Sequence, residues 1–154
     1  MDAKEVGVKA QLIQEDGGKT YAVIFDSGDE VFEGLTEFAR EQGLTAAHFT
    51  GVGAFSDVVL GFFDLDKKDY EQIPIEEQVE VLSLVGDIAL DPVEGGGPKV
   101  HAHVVVGKRD GTAYGGHLLG GHVRPTLEVI VEEAPGHLRR KPDPTTGLTL
   151  IDLP

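Results

Sequence analysis

The chain has no cysteine and no tryptophan, a single methionine, and only 6% aromatic residues over 154 positions. Without cysteine there is neither a disulfide framework nor a thiolate metal site, a pattern compatible with a reducing cytoplasm. Bases are scarce as well: 13 Lys and Arg stand against 27 Asp and Glu, for a formal net charge of −14. Such a surface repels phosphate backbones and anionic membranes unless its bases are clustered. The bases form only short groups, Lys67-Lys68, Lys108-Arg109 and Arg139-Arg-Lys141. None extends into a stripe with interleaved aromatics, so the residues give nucleic-acid binding little support. No stretch approaches the ~20 apolar residues that span a bilayer. The start, Met1-Asp-Ala-Lys-Glu-Val6, has neither the basic region nor the apolar run of a signal peptide. These absences predict a soluble, acidic, cytoplasmic protein with no membrane partner. An apolar fraction of 40% is ordinary for a globular chain, and this length can bury a self-sufficient core.

Glycine, in contrast, is abundant, with 21 residues, about twice the usual ~7%. Many separate short apolar runs, as in a chain of strands and turns. Val6 to Leu12 alternates with period two, and Glu15-Asp-Gly-Gly18 marks a turn. Thr20 to Phe25 reads as a buried strand. Ser27-Gly-Asp-Glu30 fits a capping box, with Ser27 and Glu30 each satisfying an orphan N–H at a helix start. Val31, Phe32, Leu35, Phe38 and Ala39 recur at helical spacing, and Gly43 supplies a left-handed stop. Ala46 to Phe49 and Val58 to Phe63 read as strands flanking a turn at Gly51-Val-Gly53. Further strands are expected at 79–85, 100–106, 113–118, 127–131 and 148–153. Asp91 to Pro98 is expected to be a mobile loop. One helix among eight or nine strands predicts an α+β fold with a largely antiparallel sheet.

Chemistry concentrates in the histidines. His101 and His103 are two apart on a strand, so both imidazoles leave one face. His117 lies on the next strand, and the turn between decides where it points. A three-residue loop, Arg109-Asp110-Gly111 with Gly111 left-handed, pairs Lys108 with Thr112 and sets His103 opposite His117. A two-residue Asp110-Gly111 turn shifts the register by one and sends His117 to the other face. In the first register three imidazoles converge within reach of one ion. Three neutral imidazoles with an open fourth position describe a catalytic-type zinc site. His122, behind Gly120-Gly121, is either a possible fourth ligand or a surface residue. Gly115 and Gly116 would let a backbone or a ligand approach closely. His48 reads as structural and His137 as a solvated loop residue. Glu80 is a candidate general base if it points into a pocket, and otherwise a solvent-face residue. Arg124 is a candidate for binding a carboxylate, or a partner for one of the many acids.

Taken in order, Glu80-Val-Leu-Ser-Leu-Val-Gly86, His101-Ala-His103, Asp110-Gly111, Gly115-Gly-His-Leu-Leu119 and His122-Val-Arg-Pro-Thr-Leu-Glu-Val129 resemble the plant-and-prokaryote-conserved (PPC) domain family. The resemblance implies a single compact α+β domain over 1–154, with a core at about 6–133 and a C-terminal extension at 134–154. Its central, largely antiparallel sheet would be flanked by few helices and would assemble as a homotrimer. Members of the stand-alone prokaryotic type have no settled activity, and some carry metal on histidines matching His101, His103 and His117. A divalent metal, zinc by its ligand set, is therefore the expected cofactor, in either a catalytic or a non-catalytic role. Kinship with plant proteins that carry an AT-hook also implies DNA as a partner. No Arg-Gly-Arg-Pro hook is present here, and the net charge disfavours that partner. The remaining alternative is a metal-free protein-interaction module.

Overall fold

Two of the strands are far longer than the sequence pattern suggests, and they organise everything else. The computed structural model describes residues 8–93 and 95–154; Val6, at the head of the first alternating run, lies outside them. β1 (Lys9–Gln14) and β2 (Thr20–Asp26) form a hairpin, and α1 spans Val31–Glu41. The long strands β3 (Ala46–Asp64) and β7 (Ala113–Glu133) frame β4 (Asp69–Ile75), β5 (Val79–Leu90) and β6 (Pro98–Gly107), and β8 (Arg139–Pro142) and β9 (Thr149–Asp152) end the chain. The nine strands share one sheet, antiparallel except where β8 meets β5 at Leu90 and Arg139. Among the described residues the fold is thus α+β with a mostly antiparallel, strictly mixed sheet and one helix.

Where the pattern predicts 46–49 and 58–63 as separate strands, the chain runs through as β3. Gly51-Val-Gly53 is no turn: the register against β5 shifts there, and against β7 it shifts again between Gly53 and Phe55. Such bulges bend a strand without ending it. The expected strands at 113–118 and 127–131 likewise fuse into β7, which pairs first with β6, then with β3, and at its far end also with β2. Because β3 pairs β5, β5 pairs β6, β6 pairs β7 and β7 returns to β3, these four strands close a ring. Closure leaves few unpaired edges and gives the strands an inside and an outside.

The inside is apolar. Val100, Ala102, Val104 and Val106 of β6 are buried with Leu84 and Ile88 of β5 and with Leu118 and Leu127 of β7. They belong to one core with Val31, Leu35 and Phe38, the apolar stripe of α1. Fully burying each Leu, Ile or Phe contributes about 1.5–3 kcal/mol. In β2 only Tyr21, Val23 and Phe25 are buried and the residues between are half-exposed, so the expected wholly buried strand is an alternating one. Alternation along β6 puts His101, His103 and Val105 on the opposite, outer side.

The helix start corrects the sequence pattern. Glu30, not Ser27, is the N-cap, its carboxylate accepting the Glu33 N–H at 2.6 Å and the Gly121 N–H at 2.9 Å. Ser27 instead donates to the Pro125 carbonyl. The chain has to turn through Gly28 and Asp29 on leaving β2, which delays the first helical turn by three residues. The stop at Gly43 is as expected: Leu44 N–H bonds Ala39 O and Gly43 N–H bonds Arg40 O, a Schellman closure. The Asp91–Pro98 segment is tied at its base, where Asp91 N–H donates to Gly97 O and Gly96 N–H to Asp91 O. Residues 139–152 fold back as the β8–β9 hairpin against β5.

Candidate metal centre

The β6–β7 turn has the three-residue form. Lys108 N–H bonds Thr112 O at 2.9 Å, Gly111 N–H bonds Lys108 O at 2.8 Å, and Gly111 has φ +83°. Only glycine takes that conformation without strain. Gly107 therefore faces Ala113, and His103 faces His117. His117 stands where β7 passes from one neighbour to the next, since it is also paired with Gly61 of β3. A Cβ on Gly116 would lie 2.7 Å from the Gly61 carbonyl oxygen, so a side chain there would push β3 away. The close approach expected at Gly115-Gly116 is thus made by a backbone.

His101, His103 and His117 each bring a ring nitrogen into one group whose members all lie within 4.8 Å of one another. The ring centroids are 5.1 to 5.5 Å apart. His101 and His117 are half-buried and His103 is exposed, so the group opens to solvent on one side. Burial is the first reason that His117 is pushed down to about 4, with the neighbouring His101 and His103 adding repulsion. Burial, then His101, also lowers His103 from its ordinary value. At neutral pH both are unprotonated, the form that coordinates a cation. Three imidazoles at this spacing suit a borderline ion such as zinc, and supply no carboxylate cage for calcium or magnesium.

Partners orient two of the rings. The Asp87 carboxylate on β5 lies opposite His101 and accepts from its Nδ1 at 3.3 Å, which leaves Nε2 free to face a cation. Tyr70 of β4 stacks on His117 at 4.3 Å, its hydroxyl 3.4 Å from Nδ1. Asp87 is in turn paired with the buried guanidinium of Arg140 on β8, which also donates to the Thr149 carbonyl on β9. A carboxylate behind a coordinating histidine is a recurrent way to hold ring and tautomer. Neither Asp87 nor Tyr70 was evident as a site residue in the sequence. The one local signal was Asp87 directly after the Gly86 that ends the Glu80–Gly86 run.

The other candidates lie elsewhere. His122 is not in the group; its Nδ1 pairs with Asp57 at 2.9 Å, and that bond raises its pKa above the ordinary value. His122 lies five residues along β7 from His117 and directly opposite Asp57 in the β3–β7 ladder. Glu80 is exposed beside Lys108 and Arg109 at the end of β5, opposite Gly107 rather than His101. Arg124 is exposed on β7. His48 is exposed and paired with Glu132, and His137 is exposed beside Thr45.

The sequence profile of the Plants and Prokaryotes Conserved (PCC) domain matches residues 13–135. A plant- and prokaryote-conserved (PPC) protein of Pyrococcus horikoshii is 32% identical, with a TM-score of 0.81 over 94% of this chain and 95% of that one. The metal-containing protein AF0104 of Archaeoglobus fulgidus is 33% identical, with a TM-score of 0.81 over 93% and 99%. A protein of Bacteroides thetaiotaomicron with a provisional DNA-binding designation is 27% identical, with a TM-score of 0.83 over 93% and 96%. Among curated proteins, the bifunctional protein GlmU of Synechococcus sp. (strain JA-3-3Ab) is 30% identical over 132 residues. That match covers 84% of this chain but about a fifth (20%) of the curated relative's length.

Proposed function

Because the chain belongs to the Plants and Prokaryotes Conserved domain family, we propose that it is a homotrimeric protein binding one divalent metal ion, zinc, per chain through His101, His103 and His117. The convergence of three ring nitrogens within 4.8 Å carries this reading. The metal-containing relative from Archaeoglobus fulgidus supports it. A zinc ion on three imidazoles keeps an open position and supplies Lewis-acid chemistry there. The chain's own part is to keep His117 neutral by burial and His103 by partial burial beside His101, to hold His101 through Asp87, and to back His117 with Tyr70.

Self-association is supported by the outer side of the ring. Val52, Leu82, Val85 and Ile130 are all exposed and line one shallow groove. A clustered apolar patch of this kind on a chain carrying −14 is most simply explained by burial against further copies.

The test is zinc stoichiometry and affinity for the untagged chain, His103→Ala and His137→Ala near pH 7.5. One zinc per chain is expected for wild type and His137→Ala, and a large loss for His103→Ala. Equal binding by wild type and His103→Ala, or none by either, overturns the site.

A second reading, DNA association, is favoured by the designation of the Bacteroides relative. The charge opposes it, since each of three copies would bring −14 to a polyanion. No sequence-selective binding is expected at ~0.15 M salt. A sub-micromolar gel-shift with discrimination against random duplex would reverse that ranking.

A further inference from the structure

Beside the triad lies a cleft of about 220 Å³, and His101 and His117 form part of its wall. That is smaller than the ~300–1,000 Å³ of drug-sized pockets, so its occupant is a small molecule. The wall divides by chemistry. Lys99, Arg140 and Tyr70 join the histidines as its polar lining, and Phe32, Leu148 and Leu150 are its apolar lining.

The charges on the polar side are already matched. Arg140 is held by Asp87, and Lys99 by Asp91 at 3.1 Å. The Asp91 carboxylate is fully buried and also takes the Val93 N–H and the Thr149 hydroxyl. With each of the two cations paired to one carboxylate, these four side chains contribute no net charge to the wall. A divalent ion on the triad would then leave two positive charges uncompensated at the mouth of the cleft. An anion is the natural complement. Arg140 Nε–H has no partner among the described residues but is buried, so the wall presents no free donor of Arg140 there. A phosphate, with several charged oxygens to satisfy, finds too few free donors here, and the apolar wall would face its oxygens.

The geometry points to a binding site for a small organic acid, its carboxylate toward the triad and an apolar chain of a few carbons against Phe32, Leu148 and Leu150. This rests on the metal reading and adds the class of ligand. The C-terminal hairpin is part of the site, because Arg140, Leu148 and Leu150 all belong to it or to the turn within it.

Calorimetry on the zinc-loaded full chain tests this with four probes: 3-methylbutanoate, acetate, 3-methylbutanamide and inorganic phosphate. The branched acid is expected to bind at least tenfold tighter than acetate, as its extra carbons leave water, and tighter than phosphate; the uncharged amide should not bind. Leu148→Asp, which sets a like charge on a half-exposed wall position, should keep full zinc stoichiometry and lose at least tenfold in affinity for the branched acid. Equal affinity for acetate and 3-methylbutanoate, preference for phosphate, or indifference to Leu148→Asp would overturn the site. A chain that binds zinc but none of the acids overturns this inference alone. A chain that takes up no zinc overturns the metal reading as well.

Discussion

His103 and His117 face each other directly across the β6–β7 ladder, their ring centroids 5.5 Å apart and their planes at 80°. Nothing between them is long-range: the five residues from Lys108 to Thr112 set the pairing. Replacing Gly111 with Val puts a branched side chain at φ +83°, in open space, so only the backbone strain is felt. A loss of about 1–2 kcal/mol in stability is expected, together with weaker zinc binding. Urea unfolding and a zinc titration measure both, and an unchanged midpoint would mean that the turn does not hold the register.

Asp87 holds His101, one of the three proposed zinc ligands. Asp87→Ala should lower zinc affinity by roughly 10–100-fold, the range for losing a carboxylate behind a metal-bound histidine. His101→Ala should cost more. Competition against a chromophoric chelator ranks the two, and the reverse order would show that Asp87 matters to folding rather than to the ring.

In the metal-free chain two histidines should titrate on opposite sides of their ordinary 6.5. His117, pushed down to about 4 by burial, stays neutral where the unfolded chain takes up a proton. It therefore makes the chain less stable as pH falls from 6.5 towards 4, and has no further effect below that. His122 is raised by its bond to Asp57, so its contribution is full below 6.5 and fades as pH rises through its own higher value. Imidazole proton shifts against pH measure each directly. A His117 that titrates at 6.5 would mean that burial does not hold its imidazole neutral.

Glu30 joins the start of α1 to β7 through two backbone N–H groups. Glu30→Ala should cost about 1–2 kcal/mol, the upper part of the range for a lost helix cap. Ser27→Ala, outside the cap, should cost less. Thermal melts of both variants decide which residue starts the helix, and equal losses would count against Glu30.

The outer groove supplies the prediction on assembly. Sedimentation of the wild-type chain should give three times the 16.4 kDa chain mass. Leu82→Glu, at a position 53% exposed in the isolated chain, should give a folded species of single-chain mass. A wild-type chain that sediments as a monomer removes the trimer.

What the sequence determined by itself was local. Turn length and strand parity narrowed the facing of His103 and His117 to two registers, and the hydrogen bonds of the Lys108–Thr112 turn selected one. The buried stripe of α1 and its stop at Gly43 follow from helical spacing in the same way. Tertiary structure decided the rest. That Gly51 and Gly53 bend a strand instead of ending it depends on β5 and β7 continuing to pair on either side. Tyr70 reaches His117 from 47 residues away because β4 lies beside β3. Arg140 reaches Asp87 across 53 because the C-terminal hairpin docks on β5. His122 meets Asp57 for the same kind of reason, since the β3–β7 ladder sets them directly opposite each other. Periodicity and turn chemistry act over a few residues, whereas the partners of a side chain are set by which strands pair, and strand pairing is a property of the whole closed sheet.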